Sequence, residues 1–423
     1  MIHKFRDSTK KQVNDESFFY PHYNDQCISN IPGTILNLLD VKSQLPRLPI
    51  EIEDTNKVVL IVLDGFGYNQ FLRYRNEHVF LSQLAEKSEV YPLTSVFPSQ
   101  TTNALTTLNT GLTPQQHGLF EYFLYLKEAD MITNTLTFEP MGTKRRNVLI
   151  DRGLDPKILF NGETIYGTLN EAGIKTFTHI FTTYAYSQCA KLLFNGSTTV
   201  ASLRSSDLIV NLRKNLEKET GPAYFFVHLS NLDAIAHQYG PSSYEYNTEL
   251  SVISGLLQKE LTQKICQKTA KETLLLVTSD HGGIDVVPKD TTYLNDFQNI
   301  LANLKQGKGG KQILVTGGPR DIFLHVKDEK LNDTKELLTE IVASKARVIE
   351  IREAVEAGLF GHGKVCKEFV ERAGNLLVIP YRNETVWFEH FLDRQFNILG
   401  QHGGLNEKEM LVPLAISTLD NLK

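Results

Sequence analysis

Apolar residues in this chain recur first as short unbroken runs. Val58–Leu63 (VVLIVL), Tyr224–Leu229 (YFFVHL) and Leu274–Thr278 (LLLVT) are continuous and rich in β-branched or aromatic side chains. A run without alternation suits a strand covered on both faces, because a solvated face would demand polar residues at every second position. Between these runs the apolar spacing predicts helices over Thr164–Ala172, Ser206–Glu219 and, longest, about Tyr244–Lys268. Strand–helix alternation of this kind predicts an α/β fold with a mainly parallel central sheet flanked by helices.

The two ends of the chain read differently. Residues 1 to about 55 are polar and irregular and are expected to wrap the core as an arm or a leading helix. Beyond about residue 290, Gly307–Lys311 (GKGGK) marks a turn, and strands are predicted at Gln312–Thr316 and Asp321–Val326. A helix over Leu331–Ala343 follows, then a strand at Arg347–Ile351 and short helices near Arg352–Ala357 and Val365–Arg372. A strand pair, Leu376–Pro380 with Thr385–Phe388, closes this region. The expected organisation is a catalytic core of residues 1–289 and 391–423, with residues 290–390 inserted as a small α+β cap.

Composition narrows the classes. With 423 residues, 41% of them apolar, the chain can bury a large core. Its net charge is -5, and no long basic run suggests a nucleic-acid groove or an anionic membrane surface. The densest basic cluster, Lys144–Arg146, reads as a solvated loop. The N-terminal stretch lacks the apolar core of a signal peptide, and no apolar run reaches the roughly 18 residues of a membrane helix. Cys27, Cys189, Cys266 and Cys366 lie far apart, as expected of reduced thiols in a cytoplasmic protein.

The chemistry gathers where strands end. VVLIVL runs into Asp64-Gly65, LLLVTS into Asp280-His281-Gly282-Gly283, and YFFVHLSNL into Asp233, with His237 four residues later. His402 stands in GQHGGL, among glycines that permit close backbone approach. Singly, each has an ordinary explanation as a helix cap, a turn former or a helix-face pair. Together, three aspartates and three histidines at strand ends offer the oxygen and nitrogen donors that zinc accepts. Phe97-Pro98-Ser99-Gln100-Thr101-Thr102-Asn103 leads into a predicted helix ending at Thr110-Gly111. A hydroxyl at such a helix N-terminus faces unpaired amides, a natural place for phosphate.

The ordered set LDG, FPSQTTN, TGLTPQQHG, DAIAHQYGP, SDHGG and GQHGG resembles the type I phosphodiesterase/nucleotide pyrophosphatase branch of the alkaline phosphatase superfamily. The resemblance spans about residues 57–415 and implies an alkaline-phosphatase-like core. It implies a hydrolase of phosphodiester or nucleotide pyrophosphate bonds with a phospho-threonine intermediate at a two-zinc site. Asp64, Thr101, Asp280 and His281 would hold one zinc, and Asp233, His237 and His402 the other. Thr101 rather than Thr102 is the implied nucleophile, because the family nucleophile lies ten residues before the glycine that is Gly111 here. The implied partner is a small phosphate ester or nucleotide.

The sequence departs from the family around the substrate. Gln100 and Thr102 replace the lysine and aromatic that many relatives carry beside the nucleophile. Glu121 and Tyr122 stand near the place of an asparagine that binds a phosphoryl oxygen. Tyr122 could donate the same hydrogen bond, whereas Glu121 would repel phosphate unless protonated or turned away. Tyr184 is a candidate to stack on the substrate, and Arg320 to reach a distal phosphate. His117 reads as a packing residue, and His228, inside an apolar strand, as a satisfied core histidine. The rival readings are a phosphonate hydrolase, a phosphomonoesterase or phosphomutase on the same fold, and a non-catalytic metal-binding module.

Overall fold

Each apolar run becomes a strand buried from end to end. The structure, a computed structural model, describes residues 1–3, 10–13, 16–52, 55–143, 145, 147–391 and 396–423. Of the basic cluster, Lys144 and Arg146 lie outside the described residues. The principal strands in chain order are β1 (Lys57–Leu63), β2 (Glu89–Thr94), β3 (Lys175–Phe181), β4 (Thr198–Ser202), β5 (Ala223–Leu229) and β6 (Thr273–Thr278), followed by β7 (Thr316–Gly318), β8 (Asp321–Leu324), β9 (Ala346–Glu350), β10 (Leu376–Pro380) and β11 (Leu411–Thr418). The principal helices are α1 (Thr101–Thr110), α2 (Ile165–Glu171), α3 (Ser205–Lys218), α4 (Asn231–Tyr239), α5 (Tyr244–Leu257) and α6 (Leu331–Val342).

The central sheet has the order β2-β11-β6-β1-β5-β3-β4. Strands β6, β1, β5, β3 and β4 are mutually parallel, and β11 pairs antiparallel with both β6 and β2. The runs are continuous because both faces are covered. Val58, Leu60 and Val62 pack with Leu105 and Leu108 of α1 and Leu169 of α2 on one face. Val59, Ile61 and Leu63 pack with Leu208 and Leu212 of α3 and Ile253 of α5 on the other.

A second, antiparallel sheet of order β7-β8-β10-β9 is built from residues 316–380. Ile322, Leu324 and Val378 face Leu338 and Val342 of α6. Phe323, Leu377 and Ile379 face Leu119, Phe120 and Phe360, so this sheet packs on the segment that follows α1.

Three sequence expectations need correction. The predicted strand at Gln312–Thr316 begins only at Thr316; the GKGGK turn folds back so that Gln306 and Gln312 form a single bridge. Residues 385–388 do not pair with Leu376–Pro380. Val386–Trp387 instead pairs parallel with Thr292–Tyr293, while β10 is occupied on both edges by β8 and β9. The long helix from Tyr244 stops being α-helical at Leu257, continues as a π-helix over Gln258–Lys264, and restarts as Gln267–Lys271. The N-terminal region contributes a helix, Ile31–Leu38, and a short hairpin, Lys10–Val13 with Glu16–Phe19.

Candidate functional site

The carboxyl ends of β6, β1 and β5 lie side by side, and each delivers metal-competent side chains to one place. Asp64 follows β1, and Asp280-His281 follows β6 through Ser279. Asp233 and His237 occupy successive turns of α4, which begins two residues after β5. His402 arrives from the short bridge at Gly400–Gln401, which pairs with Ile284–Asp285. Thr101 is the first residue of α1, and Gly111 ends that helix in the left-handed conformation at φ 73°. Gly282 is needed for close approach: a Cβ there would stand 2.0 Å from the Lys408 carbonyl oxygen.

All seven predicted donors converge. Thr101 Oγ1 is 3.4 Å from Asp64 Oδ1 and 3.1 Å from His281 Nε2. His281 Nε2 is 3.4 Å from both Asp64 Oδ1 and Asp280 Oδ2. His237 Nε2 is 3.3 Å from Asp233 Oδ2, and His402 Nε2 is 3.6 Å from Asp233 Oδ1. Two overlapping sets, Asp64/Asp280/His281 and Asp233/His281/His402, each bring their donor atoms within 4.8 Å of one another. His281 belongs to both; its ring stacks on that of His402 at 3.6 Å.

Each ring is aimed by its other nitrogen. Nδ1 of His237, His281 and His402 contacts the carbonyl of Gly400, Gly282 and Ser99 respectively, each at 2.8 Å. A carbonyl only accepts, so every Nδ1 carries a proton and every Nε2 turns inward. Burial, reinforced by the charge of His281, pushes the His402 pKa down to about 3, so its ring is neutral and its Nε2 lone pair faces a carboxylate. That arrangement is repulsive unless a cation lies between them. His237 differs: burial opposes its charge, but Asp233 outweighs burial and lifts its pKa to about 9.

The carboxylates are divided in the same manner, one oxygen held and one presented. Asp280 Oδ1 accepts from the Gly65 and His281 amides at 3.1 and 3.0 Å, whereas its buried Oδ2 has no hydrogen-bond partner among the described residues. Asp64 Oδ2 accepts from His228 Nε2 at 2.9 Å, leaving Oδ1 toward Thr101 and His281. The donor chemistry, the inward-facing Nε2 atoms and the orphaned oxygen all fit divalent metal ions.

A cavity of about 400 Å³ opens on Thr101, Asp64, Asp233, His237 and His402. Its further walls are mainly apolar, including Leu105, Ile180, Leu193, Phe194 and Trp387. Tyr122 and Tyr184 line it; the Tyr122 hydroxyl accepts from Asn134 Nδ2 at 2.7 Å. Arg320 does not. Its guanidinium is fully buried, paired with Glu409 through Nε and Nη2 at 3.0 and 2.8 Å, and donates to the Tyr381 and Glu384 carbonyls. A guanidinium so committed cannot reach a substrate phosphate, so the expected distal-phosphate role of Arg320 is corrected to a structural one.

Sequence reasoning missed two features. His228 is a satisfied core histidine, but the group that satisfies it is the predicted metal ligand Asp64. No signal in its own strand could have shown this, because the order of the sheet is what sets His228 beside the last residues of β1. Glu121 lines the cavity and meets Asp321, from the second sheet, in a fully buried carboxyl pair. Burial pushes the Glu121 carboxyl up to about 7, and burial with the Glu121 charge holds Asp321 well above the usual range.

The model of the type I phosphodiesterase/nucleotide pyrophosphatase family matches residues 58–405. Human ectonucleotide pyrophosphatase/phosphodiesterase family member 1 is 24% identical over 274 residues, covering 62% of this chain and 27% of that protein. The chain thus spans about a quarter of the length of that relative. Among solved structures, murine ectonucleotide pyrophosphatase/phosphodiesterase 5 aligns with a TM-score of 0.63 at 17% identity, over 85% of this chain and 87% of that one. An inactive form of the same murine protein in complex with AMP aligns with a TM-score of 0.62 at 17% identity, with the same coverage. The human counterpart aligns at 0.56, also at 17% identity and over 85% and 87% of the two chains.

Proposed function

The chain belongs to the type I phosphodiesterase/nucleotide pyrophosphatase family, and from that membership we propose that it hydrolyses phosphodiester or nucleotide pyrophosphate bonds. The observation that carries the reading is the placement of Thr101. Its hydroxyl lies at the N-terminus of α1, within 3.4 Å of Asp64 Oδ1 and 3.1 Å of His281 Nε2. Asp64, Thr101, Asp280 and His281 would hold one divalent ion, most suitably zinc, and Asp233, His237 and His402 a second. Bound there, two such ions supply Lewis acidity and positive charge to the reacting phosphate.

The protein's own groups do the rest. Thr101 Oγ1, its proton lost to solvent, bonds to phosphorus while the bond from phosphorus to the departing oxygen breaks. Water then cleaves the phospho-threonine and restores the hydroxyl. Unpaired first-turn amides of α1 offer donors to the non-bridging oxygens. Asp64 is fixed by His228, and the three inward histidines by their carbonyl partners, so little reorganisation accompanies the reaction. Tyr122 and Tyr184 offer aromatic surface to the group esterified to phosphorus. AMP in the related murine structure supports a nucleotide as one such substrate.

The reading includes a reducing, cytoplasmic setting, supported by four cysteines that remain separate free thiols, three of them buried. Among the described residues no helix is long and apolar enough to cross a membrane.

The test is paired hydrolysis of bis-p-nitrophenyl phosphate and p-nitrophenyl phosphate, with zinc added and with a chelator. Chelator-sensitive cleavage favouring the diester is expected. A monoester preference would replace the reading with a phosphomonoesterase or mutase, and cleavage of neither would leave the phosphonate and binding-module readings. Thr101→Ala is expected to abolish turnover while zinc content stays near wild type; retained turnover would refute the covalent route.

A further inference from the structure

The cavity wall beside the nucleophile carries a feature that the hydrolase reading does not use. Glu121 is 1% exposed, and its Oε2 accepts from the Tyr122 amide at 2.9 Å. Asp321, the first residue of β8, is wholly buried, and its Oδ1 accepts from Gln100 Nε2 at 3.2 Å. The other two oxygens, Glu121 Oε1 and Asp321 Oδ2, are buried without a donor among the described residues, and the two carboxyl groups interact directly. Gln100 is the residue before Thr101, and Glu121 and Gln100 both line the cavity. A Cβ on Gly403, next to His402, would come within 2.6 Å of Asp321 Oδ1, so the pair abuts both Gln100, beside Thr101, and the backbone beside His402.

Resting on the hydrolase reading, we propose that the Glu121–Asp321 pair restricts the site to singly charged phosphodiesters by disfavouring dianionic phosphomonoesters. Two buried carboxyl groups in contact cannot both ionise, so the pair shares a proton and carries one negative charge. Without it, two divalent ions and the aspartates Asp64, Asp233 and Asp280 leave one net positive charge. With it, that surplus is cancelled. No lysine or arginine among the described residues lines the cavity to restore it, and Arg320, one residue before Asp321, is spent on Glu409. A diester monoanion enters such a site without large repulsion, whereas a monoester dianion carries one charge too many. At the effective dielectric of a protein site, one extra unit charge a few bond lengths away corresponds to roughly 10- to 50-fold in affinity. The product of each diester turnover is itself a monoester dianion, so the same repulsion speeds its release.

The experiment is the ratio of kcat/KM for bis-p-nitrophenyl phosphate to that for p-nitrophenyl phosphate at pH 8.5, where the monoester is a dianion. It compares wild type, Glu121→Gln, Asp321→Asn and the double variant, each zinc-loaded. Either single change leaves one carboxyl able to ionise, so the ratio is expected to move less than about threefold. The double change removes the charge and is expected to shift the ratio toward the monoester by about tenfold or more. A folded, zinc-loaded double variant with the wild-type ratio overturns the proposal, as does a single change that matches the double. If the double variant does not fold, inhibition of the wild-type enzyme by phenylphosphonate and by its monomethyl ester decides the matter. Tighter inhibition by the monoanionic ester supports the proposal; equal or tighter inhibition by the dianion overturns it. Wild-type turnover of the diester separates failure of this inference from failure of the hydrolase reading.

Discussion

His228→Leu tests whether this histidine shapes the metal site from behind. His228 and Asp64 are 5% and 2% exposed, and Nε2 donates to Asp64 Oδ2 across 2.9 Å. Burial disfavours a charged ring, but Asp64 outweighs it and raises the His228 pKa above its ordinary value. Leucine fills comparable space in β5 and removes the donor. A hydrogen bond to a buried charged group contributes about 1.5–3 kcal/mol. Loss of a partner that orients a metal ligand weakens metal binding by about 10- to 100-fold. At about 1.4 kcal/mol per tenfold, the two estimates agree. Competition with a chromophoric chelator measures the affinity directly. Under the proposed two-zinc reading, one of the ions is expected to bind about 10- to 100-fold more weakly in His228→Leu. His228→Gln, whose amide can donate from a similar place, is expected to recover most of that loss. Wild-type zinc affinity in the leucine variant, or equal losses in both, would refute the positioning role.

Three further outcomes follow from the packing. Arg320→Met leaves Glu409 buried without its partner and is expected to cost about 3–5 kcal/mol of stability in denaturant melts. Unchanged stability would show that the pair is dispensable. Gly282→Ala drives a methyl toward the Lys408 carbonyl, 2.0 Å from the ideal Cβ position. It is expected to displace His281, reducing zinc stoichiometry as well as melting temperature; full stoichiometry would contradict the close-approach argument. The pH dependence of stability has a definite sign. Because the Glu121 pKa is raised to about 7 in the fold, its contribution is fully present below the ordinary carboxyl value and lost as pH rises through about 7. The melting temperature of wild type should therefore fall relative to that of Glu121→Gln/Asp321→Asn between about pH 4.5 and 8. A constant difference across that range would contradict the raised pKa.

Much of the candidate metal site is legible in the amino-acid sequence, and for a local reason. Asp64, Asp233 and Asp280 each follow an unbroken, β-branched or aromatic-rich apolar run, and such a run suits a strand covered on both faces. Parallel strands so covered carry their chemistry at their carboxyl ends, whatever the rest of the chain does. Thr101 at the start of a helix that ends at Gly111 is equally local. The resemblance of six ordered motifs then assigns these positions roles that composition alone could not.

What depends on contacts between distant segments is not legible. His228 looks like an ordinary core residue because nothing in its own strand reveals that β1 runs beside it and ends in Asp64. Arg320 looks free because its counter-ion, Glu409, is contributed by the segment leading into β11. Val386–Trp387 is matched to the wrong neighbour because β-branched and aromatic residues mark a strand without naming its partner. The Glu121–Asp321 pair exists only because the second sheet packs on the segment after α1. Local pattern determines which residues end strands and which can hold a metal. The global packing that brings remote side chains together decides how each is aimed, neutralised or consumed.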